Sequence, residues 1–307
     1  NTLSSLKLRA SVGKTGNDNT GGDRFLYKPS FNDDSGYSWG IGSTGTLNNV
    51  GGIIEGRFES PSLSWEIEMK RNYGIDLMLF NGKADLQVDY FDNLRTNILM
   101  QRKTISGAAG FRQAPWQNFG KVSNKGVDAA FNVHQIIGDW RLSLKGNFTF
   151  ARNKILEYDE IPQSYPWMAV TGTRLFGLKG LAVDRLYRED DFNILVDANG
   201  NKTYTLREGV VHSEMLPNPM PGDILYVDGV VDTNYDAVQD YVHPTVPEIM
   251  YGFGINATYK GIYVSLFFQG AGNTSLNLNN QPHLFQPFSE AIYNSSVRQE
   301  IIESRWT

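Results

Sequence analysis

Apolar and polar residues alternate with a period of two along much of the chain, the spacing that puts successive side chains on opposite faces of a β-strand. Leu6, Leu8, Ala10 and Val12 share one face, with Lys7, Arg9 and Ser11 on the other. Tyr73, Ile75, Leu77 and Leu79 face away from Asn72, Gly74 and Asp76. Asn81-Gly82 follows, a dipeptide suited to a tight hairpin because both central residues must take positive φ. Ala84, Leu86, Val88 and Tyr90 then alternate with Asp85, Gln87 and Asp89. The unit returns twice. Val127, Ala129, Phe131 and Val133 lead through Gly138-Asp139 into Trp140, Leu142, Leu144, Phe148 and Phe150, and Tyr251, Phe253, Ile255, Ala257 and Tyr259 lead through Lys260-Gly261 into Ile262, Val264, Leu266 and Phe268.

These hairpins have two-residue turns at one end and long connections at the other, expected over 13–64, 93–120 and 153–247 and after Gly270. Connections in compact soluble domains are typically ~4 to 6 residues. Transmembrane β-barrels have the observed asymmetry, with strands of ~9 to 11 residues in the bilayer, short periplasmic turns and long outer loops. Backbone N–H and C=O groups find no water in hydrocarbon, so a spanning sheet must pair every strand and close. Trp140 and Tyr259 flank two of the short turns, as an aromatic girdle at one interface requires. Arg71 and Asp92 interrupt the apolar face ten residues from Asn81-Gly82, where the opposite interface is expected. The competing architecture is a soluble β-sandwich or glycan-binding module, whose strands also alternate but whose apolar residues Phe131, Leu142, Leu144, Phe253 and Leu266 would form a closed core. Strand length, loop asymmetry and the aromatics beside the turns favour the barrel.

Composition narrows the function classes. Net charge is −5 and the Lys and Arg residues are scattered, so a nucleic-acid partner is not expected. There is no cysteine, hence neither a disulfide framework nor a thiolate metal site. No apolar run approaches the ~18 residues of a membrane-spanning helix. Gly13-Lys14-Thr15 ends like a phosphate-binding loop, but Leu8 stands where its first glycine belongs, and turn chemistry, not a helix, follows. The four histidines have no metal-binding spacing. Glu66 and Glu68 share a strand face, and Asp190-Asp191 is a second carboxylate pair. Lys70 offers Glu68 a charge partner, and an enzyme is not expected.

Several segments resemble the SusC/RagA-type TonB-linked (TonB-dependent) outer-membrane transporters: "LKLRASVGKTGND", "WEIEMKRNYGIDLMLFNGKADLQVDYFDN", "NKGVDAAFNV", "PGDILYVD" and "YGFGINATYKGIYVSLFFQGAGN", in that family's order from Leu6 to about Asn273. The resemblance implies an all-β fold, an antiparallel transmembrane β-barrel of roughly 22 strands closed by an N-terminal plug. It implies active import of a large nutrient, an oligosaccharide in first place and a peptide in second, across the outer membrane of a Gram-negative bacterium. Implied partners are the TonB complex, a SusD-like surface lipoprotein acting as a lid, and outer-membrane lipid. Residues 1–307 are expected to be part of one barrel domain, with plug, early strands and final strands outside the chain. Many members carry an acidic loop resembling a calcium site after the segment matching "PGDILYVD". Here Asp228, Asp232 and Asp236 keep three ligand places while Val230, Thr233 and Gln239 depart from it, so no cofactor is expected. The expected outer loops carry Tyr37 and Trp39, Trp116 and Phe119, and Tyr165 and Trp167, rings with neighbouring amides that suit a sugar face, a peptide side chain or the lid. The competing role for these rings is to pack their own loops.

Overall fold

The computed structural model describes residues 2–19, 25–41, 45–210, 216, 218–227, 238–277, 299 and 303. They form fifteen strands: β1 (Leu3–Asn17), β2 (Phe31–Ile41), β3 (Leu47–Glu55), β4 (Glu66–Leu79), β5 (Ala84–Gln101), β6 (Trp116–Ile137), β7 (Trp140–Glu157), β8 (Gly177–Leu181), β9 (Val183–Leu186), β10 (Phe192–Val196), β11 (Lys202–Leu206), β12 (Ile224–Tyr226), β13 (Gln239–Pro244), β14 (Ile249–Tyr259) and β15 (Ile262–Gly272). Two compact units divide them. The first holds an antiparallel seven-stranded sheet in the order β1-β4-β5-β6-β7-β14-β15, together with the β2–β3 hairpin. The second pairs β8 with β13, β9 with β12 and β10 with β11. Its core is Tyr187, Phe192 and Leu225, with Tyr204 and Leu206 packed against it.

The seven-stranded sheet keeps every alternating set in phase. Leu6 lies opposite Leu77, Leu77 opposite Leu86, Leu86 opposite Phe131 and Phe131 opposite Gly146. Gly146 lies opposite Phe253, and Phe253 opposite Phe268. Because side chains alternate strictly, one register fixes the whole face. That face is exposed: Leu144 is 38%, Phe148 42%, Phe253 40% and Leu266 51% accessible. A sandwich would cover these side chains with a second sheet, and no second layer of described residues does so. From Trp140 to Phe150 the strand advances ten residues, about 33 Å, which a tilt near 45° reduces to roughly 24 Å, close to the ~25 Å apolar band of a membrane barrel. Trp140 stacks on Tyr259 (4.6 Å) at the short-turn end, while Tyr73 stacks on Tyr90 (6.5 Å) at the other. Beyond the second pair the same face turns ionic, with Arg71 3.8 Å and Lys125 3.1 Å from Asp92.

The turns follow their sequences. Asn81 and Gly82 have φ of 55° and 83°, and Lys260 and Gly261 of 43° and 89°. The first turn is wider than a two-residue loop. Phe80 also takes positive φ (52°), and its N–H donates to Thr2 O (3.0 Å), so the ladder closes at Leu79 and Ala84. The connections require correction. β5 runs on to Gln101 and β6 starts at Trp116, so half of the loop expected over 93–120 is strand. The extra residue that hides this is a bulge between Arg95 and Ile98, where Asn97 has φ 56° and the alternation changes phase. The connection between β1 and β4 holds the β2–β3 hairpin, whose register breaks twice, around Gly36 and Gly40. β1 continues through Gly13-Lys14-Thr15 to Asn17, with no helix at the phosphate-loop look-alike.

Candidate functional site

The polar face of the sheet is the one that would look into a barrel lumen. Near its centre, on β1, β4 and β5, Arg9 donates to both oxygens of Asp76 (2.8 and 3.0 Å) and to Asp89 (2.8 Å). The guanidinium reaches Asp89 across Gly74, where a Cβ would sit 2.6 Å from Arg9 Cζ; a side chain there would break the bridge. Asp89 lies opposite Asp128 on β6.

Towards the ends of the strands remote from the short turns, the same face opens into a cleft of about 390 Å³ across β4 to β7. Its apolar lining is mostly aliphatic, with Ile98 and Met100 from β5, Val122 from β6, Ile155 from β7, and Leu175, and Tyr158 adds one ring. Gly120 lets Ile98 lie over the β6 backbone, since a Cβ there would sit 3.1 Å from Ile98 Cβ. Charges rim the cleft in pairs. Arg95 stands 3.5 Å from Glu66 and 3.9 Å from Glu68, Lys70 3.4 Å from Glu68, and Lys121 3.0 Å from Glu157. Asn17 donates to Glu66 (2.9 Å). The Glu66 and Glu68 carboxylates therefore share the Arg95 guanidinium, and Lys70 adds a second cation at Glu68. The other acidic pair is occupied likewise: Arg185 grips Asp191 through both oxygens (2.6 and 2.9 Å), holding that carboxyl below its ordinary range.

One carboxylate ties down a loop beside the cleft. Asp159 is 4% exposed and accepts from Arg102 Nε (2.9 Å), Thr104 Oγ1 (2.8 Å) and the amides of Lys103 and Thr104. The Arg102 guanidinium, helped by these amides and the hydroxyl, holds it well below the usual carboxylate range. Residues 102–104 are thereby fixed to the end of β7.

The aromatic candidates fall on separate elements. Tyr37 and Trp39 stand on β2, 81% and 77% exposed. Trp116 and Phe119 lie on β6, not in a loop: the Trp116 carbonyl accepts from Ser60 Oγ (2.7 Å) and Arg102 covers the Phe119 ring at 5.2 Å. Tyr165 and Trp167 belong to the second unit, where their rings stack at 4.7 Å. Asp228, Asp232 and Asp236 lie outside the described residues. Among the described residues no cluster of three or more His, Asp or Glu could hold a metal ion. The cleft lining was missed from sequence because the phase change at Asn97 and a register shift at Lys121 and Val122 break the pattern where it begins.

Comparison with known proteins agrees with this geometry. The family model described as TonB dependent receptor-like, beta-barrel matches residues 3–287. A TonB-dependent receptor of Formosa agariphila is 27% identical over 294 residues, covering 92% of this chain and 27% of the relative. The TonB-dependent receptor SusC of Bacteroides thetaiotaomicron is 30% identical over 160 residues, 50% of this chain and 15% of SusC. Among solved structures, a chain of the RagAB peptide importer in its 'open-open' state superposes with a TM-score of 0.61 at 18% identity, over 89% of this chain and 26% of that one. The chain thus spans about a quarter of the length of the first of these relatives.

Proposed function

We propose a transport function from the premise that this chain belongs to the TonB dependent receptor-like β-barrel family. It supplies part of the wall of a SusC/RagA-type importer in the outer membrane. The observation that carries this reading is the shared register of the seven-stranded sheet across its apolar band, apolar and exposed on one face, polar and ionic on the other. The first face dissolves the wall in lipid; the second lines a wet passage. β1 and β15 each have a neighbour on one side only among the described residues, so closure needs strands from elsewhere in the polypeptide.

In this reading the chain performs no bond chemistry. The rim charges and the aliphatic floor of the cleft hold a large solute, a surface lipoprotein of the SusD kind seats on the outer segments, and energy enters through a plug coupled to TonB. The solute proposed is an oligosaccharide, which exposed rings such as Tyr37 and Trp39 would suit. A peptide is the second reading, favoured by the mostly aliphatic lining of the cleft, where Tyr158 is the one ring and Ile98, Met100, Val122, Ile155 and Leu175 suit apolar side chains. Fractionating the source cells tests the location: the protein is expected in the outer membrane, and recovery in the soluble periplasm would end the proposal. Uptake of labelled oligosaccharides and peptides by cells with and without the gene then decides the solute.

A further inference from the structure

The outward face carries a second recess, on the lipid side of the wall. It has a volume of about 580 Å³ and is floored by Tyr90, Val127 and Phe150, the last residues of the apolar band on β5, β6 and β7. Its rim is cationic, with Lys125, Arg152, Lys154 and Arg174 and no carboxylate in the lining. Two acids stand close by. Asp92 takes Lys125 (3.1 Å), and Glu248, 3% exposed, takes both Arg152 (2.8 Å) and Arg174 (3.0 Å). Lys154 has no ion-pair partner among the described residues. Four cations thus meet two carboxylates, in a chain whose net charge is −5.

The register adds an independent argument. Lys125 lies directly opposite Arg152 on neighbouring strands, and Lys154 occupies the next outward position of β7, opposite Ser123. Like charges placed directly opposite destabilise a sheet; Asp92 and Glu248 offset this for Lys125 and Arg152, and Lys154 beside them is left as an uncompensated cation among the described residues. We propose that this recess binds the phosphate of a lipid in the outer leaflet. The order of the groups selects a lipid over a free anion: cations stand beyond the apolar band, and the recess continues inward onto rings and a valine that acyl chains can cover. A free phosphate would have no use for that floor, whereas a lipid headgroup at the interface meets both parts in sequence. The inference rests on the membrane reading above but concerns the outside of the wall, not its lumen.

The natural protein, purified in detergent, provides the test by native mass spectrometry with three probes: a phosphorylated glycolipid, the same glycolipid lacking phosphate, and inorganic phosphate. The phosphorylated lipid is expected to be retained preferentially. Lys154→Gln removes a cation with no partner, and the Lys125→Gln/Lys154→Gln pair removes two; retention should fall about fivefold for each charge lost. Unchanged far-ultraviolet circular dichroism shows that the variants fold. Equal retention of both glycolipids, an unaffected double variant, or inorganic phosphate binding as tightly as the lipid would each overturn the inference. Recovery of the protein outside the membrane would instead defeat the transport reading on which it rests.

Discussion

Leu144 sits midway along the apolar stretch of β7, between Trp140 and Phe150, and lies opposite Val133 on one side and Ile255 on the other. It is 38% exposed with no covering layer, so in a membrane its side chain meets acyl chains. Leu144→Arg places a charge near the bilayer midplane, where a lipid-facing arginine costs about 2 to 4 kcal/mol. The neighbouring residue is the control. Ser143 points to the other face, opposite His134 and Asn256, so Ser143→Arg enters a polar lumen and should change stability by no more than about 0.5 kcal/mol, as for an exposed site. The assay is reversible unfolding of the natural protein in lipid vesicles, with both variants compared at equal lipid composition. A large loss for Leu144→Arg beside a small one for Ser143→Arg supports the assignment of faces. Equal losses, or a larger loss for Ser143→Arg, would refute it. A second test lies in depth: the same charge at Tyr259, beside a short turn, should itself cost only about 0 to 1 kcal/mol because the side chain reaches the interface, with the lost stacking on Trp140 measured separately by Tyr259→Ala.

Three further outcomes follow from the polar face and its neighbours. At Gly126 an added Cβ would sit 2.1 Å from the Phe150 carbonyl oxygen and 2.4 Å from the Phe91 ring, so Gly126→Ala should destabilise by about 1 to 3 kcal/mol in the same unfolding assay. Adding Phe91→Ala should recover little of that loss, because the Phe150 contact is backbone. Asp159→Asn leaves the buried Arg102 cluster without its charge and should weaken the hold on residues 102–104 by about 1 to 3 kcal/mol, read as faster amide exchange there. The folded carboxyl is depressed below its ordinary value of 3.8, so its contribution is complete above that pH and is lost as pH falls from there through the folded value. Met100→Trp adds an indole to the lumenal cleft and should lower uptake on the order of tenfold, with the amount of protein in the outer membrane unchanged; unaltered uptake would remove the cleft from the solute path.

The barrel wall was legible in sequence because lipid on one side and water on the other impose a strict period of two. Leu6 to Val12, Tyr73 to Leu79 and Tyr251 to Tyr259 each read correctly, and Asn81-Gly82, Gly138-Asp139 and Lys260-Gly261 mark the turns. Legibility ends where the backbone changes phase. The bulge at Asn97 helped to make the last half of β5 look like loop, and the breaks around Gly36 and Gly40 hid the β2–β3 hairpin within a polar stretch. The same phase changes hid the cleft, and a further reason adds to them: Ile98, Val122 and Ile155 come from three strands and meet only through register. The aromatic residues drew attention by type, yet Arg102 covers Phe119 and Tyr165 stacks on Trp167, so ring content alone did not locate a single surface.

The central claim is that one face of the sheet touches lipid while the other looks into water. The chain contains no cysteine, so single cysteines introduced from Trp140 to Phe150 report on one position at a time. Spin labels at these positions of the natural protein in its membrane can be quenched by oxygen, which partitions into lipid, or by a water-soluble nickel chelate. Oxygen should dominate at 142, 144, 146 and 148, and nickel at 141, 143, 145 and 147. A scan in which the even positions are shielded from both quenchers would mean that a second protein layer covers them, and the account of this chain as a barrel wall would be wrong.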